Sequence, residues 1–276
     1  MKAFQSRMDV IGNNIANSNT TAFKRDRAAF ADSFSQTLRH ASEGNAGTAA
    51  VAAQQVGTGA SVIGVTTNYN QGALSSTGVQ TDLAIAGEGF FVVKNVASGE
   101  EFVTRAGDFR LDQNGKLVTS TGMHVQGFQD AGRSIRGGVT IDPVGAPVTA
   151  DPAAVVAAFN ISDDGTVHVR LTDGTSFVRG QVLLQRFTDP QMLNKEGDNL
   201  YSGIEGAGPL GGSVPQSGVP GALGLGRIES GALELSNVDL AEEFSGLITG
   251  QRGFQATARV ISTSDEVLQE VINLKR

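Results

Sequence analysis

Residues 237–276 read NVDLAEEFSGLITGQRGFQATARVISTSDEVLQEVINLKR, and this stretch decides the fold. Leu240, Leu247, Phe254, Ile261 and Leu268 recur every seven residues, while Phe244, Gln251, Ala258, Asp265 and Ile272 take the alternating positions three or four away. That period draws one stripe down a long helix, in the manner of a coiled-coil seam. Asn237 or Asp239 is placed to cap the helix; Asp239, Glu242 and Glu243 suit the positive end of its dipole, and Lys275 and Arg276 the negative end. Burying each large residue of the stripe is worth roughly 1.5–3 kcal/mol, whereas an isolated helix is marginal, so the stripe requires a covering surface. Gly246, Gly250 and Gly253 each cost about 1 kcal/mol relative to Ala inside a helix, and they permit another helix to approach closely. Folding of this helix back onto the chain's own core is the alternative to packing against a separate partner.

The other end of the chain carries a matching pattern. Met1, Phe4, Met8, Ile11 and Ile15 alternate three and four apart, which predicts a shorter helix with the same kind of seam. It is expected to stop near Asn17, because GNNIANSNTTAF (residues 12–23) gathers residues that favour turns and caps. A seam that begins at residue 1 without a cap leads to the expectation that Met1 is an internal methionine of a longer first helix.

Between the ends the period changes to two. From Ser61 to about Thr188, segments such as SVIGVTTNY, TDLAIAG, FFVVKN, EFVTRA, TVHVRL and QVLLQRF read as short strands between Gly, Asn and Asp turns. Asp112-Gln113-Asn114-Gly115, Asp163-Asp164-Gly165 and Asp173-Gly174 have the chemistry of tight hairpins; the first opens like a calcium loop but lacks the later ligands. Residues 31–60 are rich in Ala, Gly, Ser and Gln and read as a connector, with residues 32–38 able to extend a helix. Residues 201–230 read as a Gly/Pro-rich connector and return strand. The expected fold class is α+β: a discontinuous helical, coiled-coil domain from both termini (1–30 plus 231–276), with a mainly antiparallel β-domain (61–200) inserted through the connectors.

Composition narrows the function. A net charge of −7 argues against a nucleic-acid partner, and Lys24, Arg25 and Arg27 form the one tight basic cluster, read as a solvated flank. No apolar run nears the roughly 18–20 residues of a membrane span, so membrane insertion is not expected. The absence of Cys excludes disulfides, thiolate zinc sites and a Cys nucleophile. Lys2 is not followed by an apolar run of the kind a cleavable signal requires, so any export must use another route. His40, His124 and His168 lack metal-ligand spacing, and neither a GxSxG elbow nor a GxxxxGK[ST] phosphate loop occurs. Gly87-Glu88-Gly89 is followed by Phe90 and Phe91, which continue a strand where a dinucleotide site would open a helix. No catalytic residue, cofactor or metal is expected.

Four stretches resemble one family. MDVIGNNIANSNTTAFKRDRAAF (8–30) is similar to the N-terminal signature of the bacterial flagellar hook and basal-body rod proteins, and SNVDLAEEFSGLITGQRGFQATARVISTSDEVLQEVINLKR (236–276) to their C-terminal one. TDLAIAGEGFFVV and TRAGDFRLDQNGKLVTSTGMHVQGF match the middle, so the resemblance covers nearly the whole chain. It implies a non-enzymatic subunit of the flagellum that polymerises into a helical tube and is exported unfolded through the flagellum's own channel. The ending TSDEVLQEVINLKR favours the hook, with the distal rod as the alternative. The implied neighbours are rod, hook-cap and hook-filament junction proteins. The implied self-assembly interface comprises Met8, Ile11, Asn13, Asn14, Ile15, Asn17 and Phe23 with Leu240, Phe244, Leu247, Gln251, Phe254, Ala258, Ile261, Leu268 and Ile272. A second reading from another class is an extracellular β-rich binding module or carbohydrate-active enzyme with a dimerising helix; the absence of Trp weakens it.

Overall fold

A computed structural model describes residues 2–41, 52–147, 150–151, 153–210, 218–222 and 224–274. Expectations that fall on Met1, Lys275, Arg276 and the middle of both connectors lie outside the described residues. The chain divides into two compact units: Met1–Ala16, Arg25–Asn68 and Asp239–Arg276 form the first, and Asn17–Lys24 with Tyr69–Val238 the second.

The first unit opens with helix α1, Lys2–Ala16, and closes with helix α2, Leu240–Leu274, of 35 residues. Asp239 caps α2, its Oδ1 accepting from the N–H groups of Ala241 at 2.8 Å and Glu242 at 3.2 Å. Glu242 and Glu243 then occupy the first turn, on the favourable side of the dipole. Four strands lie between the helices: β1 (Asp26–Asp32), β2 (Ser35–Arg39), β3 (Gln54–Gly57) and β4 (Ala60–Thr67).

The connector reading of 31–60 is corrected here. β1 pairs antiparallel with β4, from Asp26 opposite Thr67 to Asp32 opposite Ala60, and β2 pairs with β3. The Ser33 N–H donates to the Gly59 carbonyl at 2.6 Å and the Thr58 N–H to the Phe34 carbonyl at 2.9 Å, so the two pairs form one continuous ribbon. Residues 32–38 are extended, not helical. The segment escaped a periodicity reading because its strands have no buried residue: every β3 residue is exposed, as are four of the five in β2. Strand alternation is visible only where one face is dry.

The second unit is a sheet structure. Among the described residues, twelve strands join in one sheet, whose main path runs Val156–Ile161, Thr166–Leu171, Ser176–Val182, His124–Phe128, Phe90–Lys94, Glu101–Thr104, Leu200–Ser202 and Asn194–Gly197. Every pairing along this path is antiparallel. Phe90–Lys94 is buried on both sides. Phe91 and Val93 face a core with Leu83, Val125 and Val182, while Phe90 and Val92 face another with Val103, Phe187 and Tyr201. The two faces explain why FFVVK reads as a continuous apolar run instead of an alternating one.

The turns match their sequence chemistry. Gly115, Gly165 and Gly174 adopt φ of 71°, 75° and 87°, and Gly87 and Gly89 flank Glu88 at 121° and 134°, which makes GEG a turn into the strand. The second connector ends in regular pairing: Arg227–Ser230 lies antiparallel to Leu83–Ala86, and Ala232–Glu234 to Leu74–Ser76. The fold is therefore mostly β-sheet with two helices.

Candidate self-assembly surface

The α1–α2 contact uses a different face of α2 from the predicted seam. A Cβ placed on Gly246 would lie 3.2 Å from Ile11 Cδ1, one on Gly250 would lie 3.2 Å from Met8 Cγ, and one on Gly253 only 2.6 Å from Phe4 Cε1. The order 4–8–11 against 253–250–246 makes the two helices antiparallel. Three glycines at spacings of four and three remove the side chains that would hold the helices apart, and α1 supplies the apolar knobs. The glycines' cost in helix propensity is thus offset by packing. A Gly253→Val substitution would drive a methyl into the Phe4 ring, so faster amide exchange across α1 is expected, at a cost of about 1–3 kcal/mol to this contact. Unchanged exchange in α1 would contradict the close approach.

A polar cluster joins the end of α1 to the start of α2. The Asn14 carboxamide pairs with the Asp26 backbone at both atoms: Nδ2 donates to the carbonyl at 2.8 Å, and Oδ1 accepts from the N–H at 3.0 Å. The same Nδ2 donates to Glu243 Oε1 at 3.2 Å, and Arg25 reaches Glu242 at 2.5 Å and Glu243 at 3.8 Å. Asn14 is 1% exposed, so one buried amide ties α1, β1 and α2 together. Burial pushes the Glu243 carboxyl above its ordinary range, opposed by the Asn14 hydrogen bond and the Arg25 charge. Arg25, Asp26, Glu242 and Glu243 of this cluster also line a groove of about 340 Å³ in the first unit, together with Arg7, Val10, Arg27 and Phe30.

Beyond residue 258 the character of α2 changes. Every residue from Arg259 to Leu274 is exposed, including Ile261 at 50%, Leu268 at 58% and Ile272 at 67%. Large apolar side chains at helical spacing, left in water along more than four turns, form an uncovered stripe.

The predicted interface residues separate into three groups. Met8 and Ile11 meet the α2 glycines, Asn14 is in the polar cluster, and Ile15 is half-buried while Asn13 is exposed. Leu247, Phe254 and Ala258 are partly covered; Leu240, Phe244, Gln251, Ile261, Leu268 and Ile272 are exposed. Asn17 and Phe23 belong to the second unit, where Phe23 is buried and its carbonyl accepts from the Asn237 N–H.

The solvated-flank expectation is corrected for one member of the basic cluster: Arg27 is exposed and Arg25 partly covered, but Lys24 is not in water. Lys24 is fully buried, its Nζ donating to Glu234 Oε1 at 2.6 Å and to the Asn70 carbonyl at 2.9 Å. Arg105 approaches the other oxygen of Glu234 at 3.4 Å, and the Gly72 N–H donates to Oε1 at 2.8 Å. Lys24 and Glu234 are 210 positions apart, so no local pattern announces the pair. Among the described residues no group of three or more His, Cys, Asp or Glu is placed to hold a metal, and no helix is long and apolar enough to cross a membrane.

Among the described residues, the glycine-faced helix pair and the exposed apolar side chains of α2 are surfaces built for packing against other helices. Residues 1–24 match the family described as flagella basal body rod protein, 84–169 the flagellar hook protein FlgE/F/G D1 domain, and 229–274 the flagellar basal body rod FlgEFG protein C-terminal. The flagellar basal-body rod protein FlgG of Bacillus subtilis is 40% identical over all of this chain and 96% of its own length. That of Borreliella burgdorferi is 34% identical over the same shares. The flagellar hook protein FlgE of Treponema pallidum is 49% identical over 46% of this chain and 27% of its own. The chain belongs to the flagellar hook and basal-body rod family, whose members are structural proteins and not enzymes.

Proposed function

We propose that this protein is a rod subunit of the flagellar basal body, in the distal part of the rod, and that it polymerises through the exposed stripe of α2. The end-to-end likeness to rod proteins favours the rod over the hook, since the hook relative matches less than half of the chain. The tail motif that favoured the hook lies in a segment that hook and rod proteins share. The observation that carries assembly is the uncovered stripe from Ile261 to Ile272.

Copies of one chain joined by a repeated, non-closing contact give a filament. The ends of the subunit complete their burial on assembly, next to rod, hook-cap and hook-filament junction proteins. Polymers of the purified chain, viewed by electron microscopy, are expected to be straight tubes; curved tubes would return the assignment to the hook, and failure to polymerise would remove both.

In the monomer, α2 should be two regions. Amides from Glu243 to Phe254, packed by α1, should exchange at least about tenfold more slowly than those from Ile261 to Leu274. Uniform exchange along α2 would contradict this division.

A further inference from the structure

Two carboxylates compete for one guanidinium where α1, β1 and α2 meet. Arg25 lies 2.5 Å from Glu242 and 3.8 Å from its neighbour Glu243. The closer partner stands in water and the other does not: the Glu242 side chain is 65% exposed and that of Glu243 is 8% exposed. Asn14 Nδ2 reaches the same carboxylate, but it is divided between the Asp26 carbonyl at 2.8 Å and Glu243 Oε1 at 3.2 Å. Among the described residues, both groups that reach the buried anion are thus shared with a nearer acceptor. A desolvated carboxylate needs fuller compensation than that.

A proton relieves the shortfall. The neutral carboxyl keeps the Asn14 contact, because its carbonyl oxygen still accepts, and it no longer calls on Arg25, which Glu242 retains. Burial is the largest influence on Glu243, and with the adjacent Glu242 charge it disfavours the anion; the Asn14 hydrogen bond, Arg25, Arg7 and the first turn of α2 favour it. The balance holds the Glu243 carboxyl above its ordinary range. Asp26 and Arg27 are the other charged groups that line this groove, and Asp26 accepts from the Thr67 hydroxyl. We propose that Glu243 is a proton-operated latch: a proton on this carboxyl tightens the joint of α1, β1 and α2, so the helix pair of the first unit is held more firmly in mild acid than at neutral pH. A folded joint that binds the proton more tightly than the unfolded chain has its full gain in stability below the ordinary glutamate range. It loses that gain as pH rises through the raised value.

Amide exchange of the monomer, corrected for the intrinsic pH dependence of exchange, tests the latch. On going from about pH 7.5 to about pH 5, amides of residues 4–15 and 243–254 are expected to gain at least about threefold protection. Glu243→Gln should show at both pH values the protection that the native chain reaches in acid. Glu242→Gln, which leaves Arg25 to Glu243, should show a smaller acid gain than the native chain. His40, the one histidine in the sequence of the first unit, is present in all three chains, so its titration cancels in the comparison. The latch is overturned if the native chain gains no protection in acid, if the gain survives Glu243→Gln, or if Glu242→Gln leaves it at its native size. A Glu243→Gln chain less protected than the native one at neutral pH would overturn it equally, because the anion would then be holding the joint.

Discussion

Replacing Ile261 and Leu268 together by Asp is expected to abolish polymerisation while leaving the monomer intact. Both side chains are at least half exposed in the free chain, so the substitution removes little intramolecular packing, and a change within about 0.5 kcal/mol is expected in monomer stability. In a polymer the same positions become dry. Each unpaired carboxylate then costs several kcal/mol, and each lost apolar side chain removes a further contribution of roughly 1.5–3 kcal/mol. Even about 3 kcal/mol per contact raises the polymerisation threshold roughly 100-fold. Sedimentation of the variant and native chains across a concentration series measures this. Equal thresholds would show that the stripe is not an assembly surface. The glycine face provides the opposite control: Gly253→Val should disturb α1 in the monomer first, because Phe4 already occupies that space.

The second large effect is expected in the β-rich unit. Glu234→Ala removes the one carboxylate shared by Lys24 and Arg105, which are 0% and 4% exposed, and strands the Gly72 N–H as well. Breaking a buried ion pair by deleting one partner costs about 3–5 kcal/mol, since the remaining charge stays dry and uncompensated. Denaturant unfolding at pH 7 should show a loss of that size. Burial already holds the Lys24 ammonium below its ordinary pKa, with the Glu234 charge opposing the shift. Without Glu234 the desolvation acts unopposed. The folded state then binds the Lys24 proton more weakly than the unfolded chain, so stability of the variant rises with pH between the depressed folded pKa and the ordinary lysine value. The destabilisation measured at pH 7 should therefore shrink towards pH 10, while Arg105 keeps its charge. A loss below about 1 kcal/mol at pH 7 would mean that water reaches the cluster.

What the residues revealed in advance follows from how local each signal is. The α2 helix and its Asp239 cap are legible because a seven-residue repeat and a capping side chain act over a few turns. The hairpin turns at Gly115, Gly165 and Gly174 are legible for the same reason, since positive φ is a property of single residues. Of the ribbon, β4 is legible in SVIGVTTNY, whereas β1 to β3 are not, because strands without a buried residue carry little alternation and their stability resides in backbone pairing. The glycines at 246, 250 and 253 signalled a close approach, but the sequence did not show that they, and not the leucine seam, would face α1. Asn14 was singled out, yet its partners Asp26 and Glu243 come from a strand start and from a helix 229 positions away. The burial of Lys24 was not legible, because a cluster of three basic residues looks solvated until the Glu234 carboxylate from the return strand is seen beside it.

Assembly through the uncovered half of α2 is tested most directly by hydrogen exchange on the native chain, comparing dilute monomer with sedimented polymer. Amides from Ile261 to Ile272 are predicted to be weakly protected in the monomer and to gain at least about 100-fold protection in the polymer, with the β-rich unit unchanged. A polymer in which those amides exchange as freely as in the monomer would contradict the account.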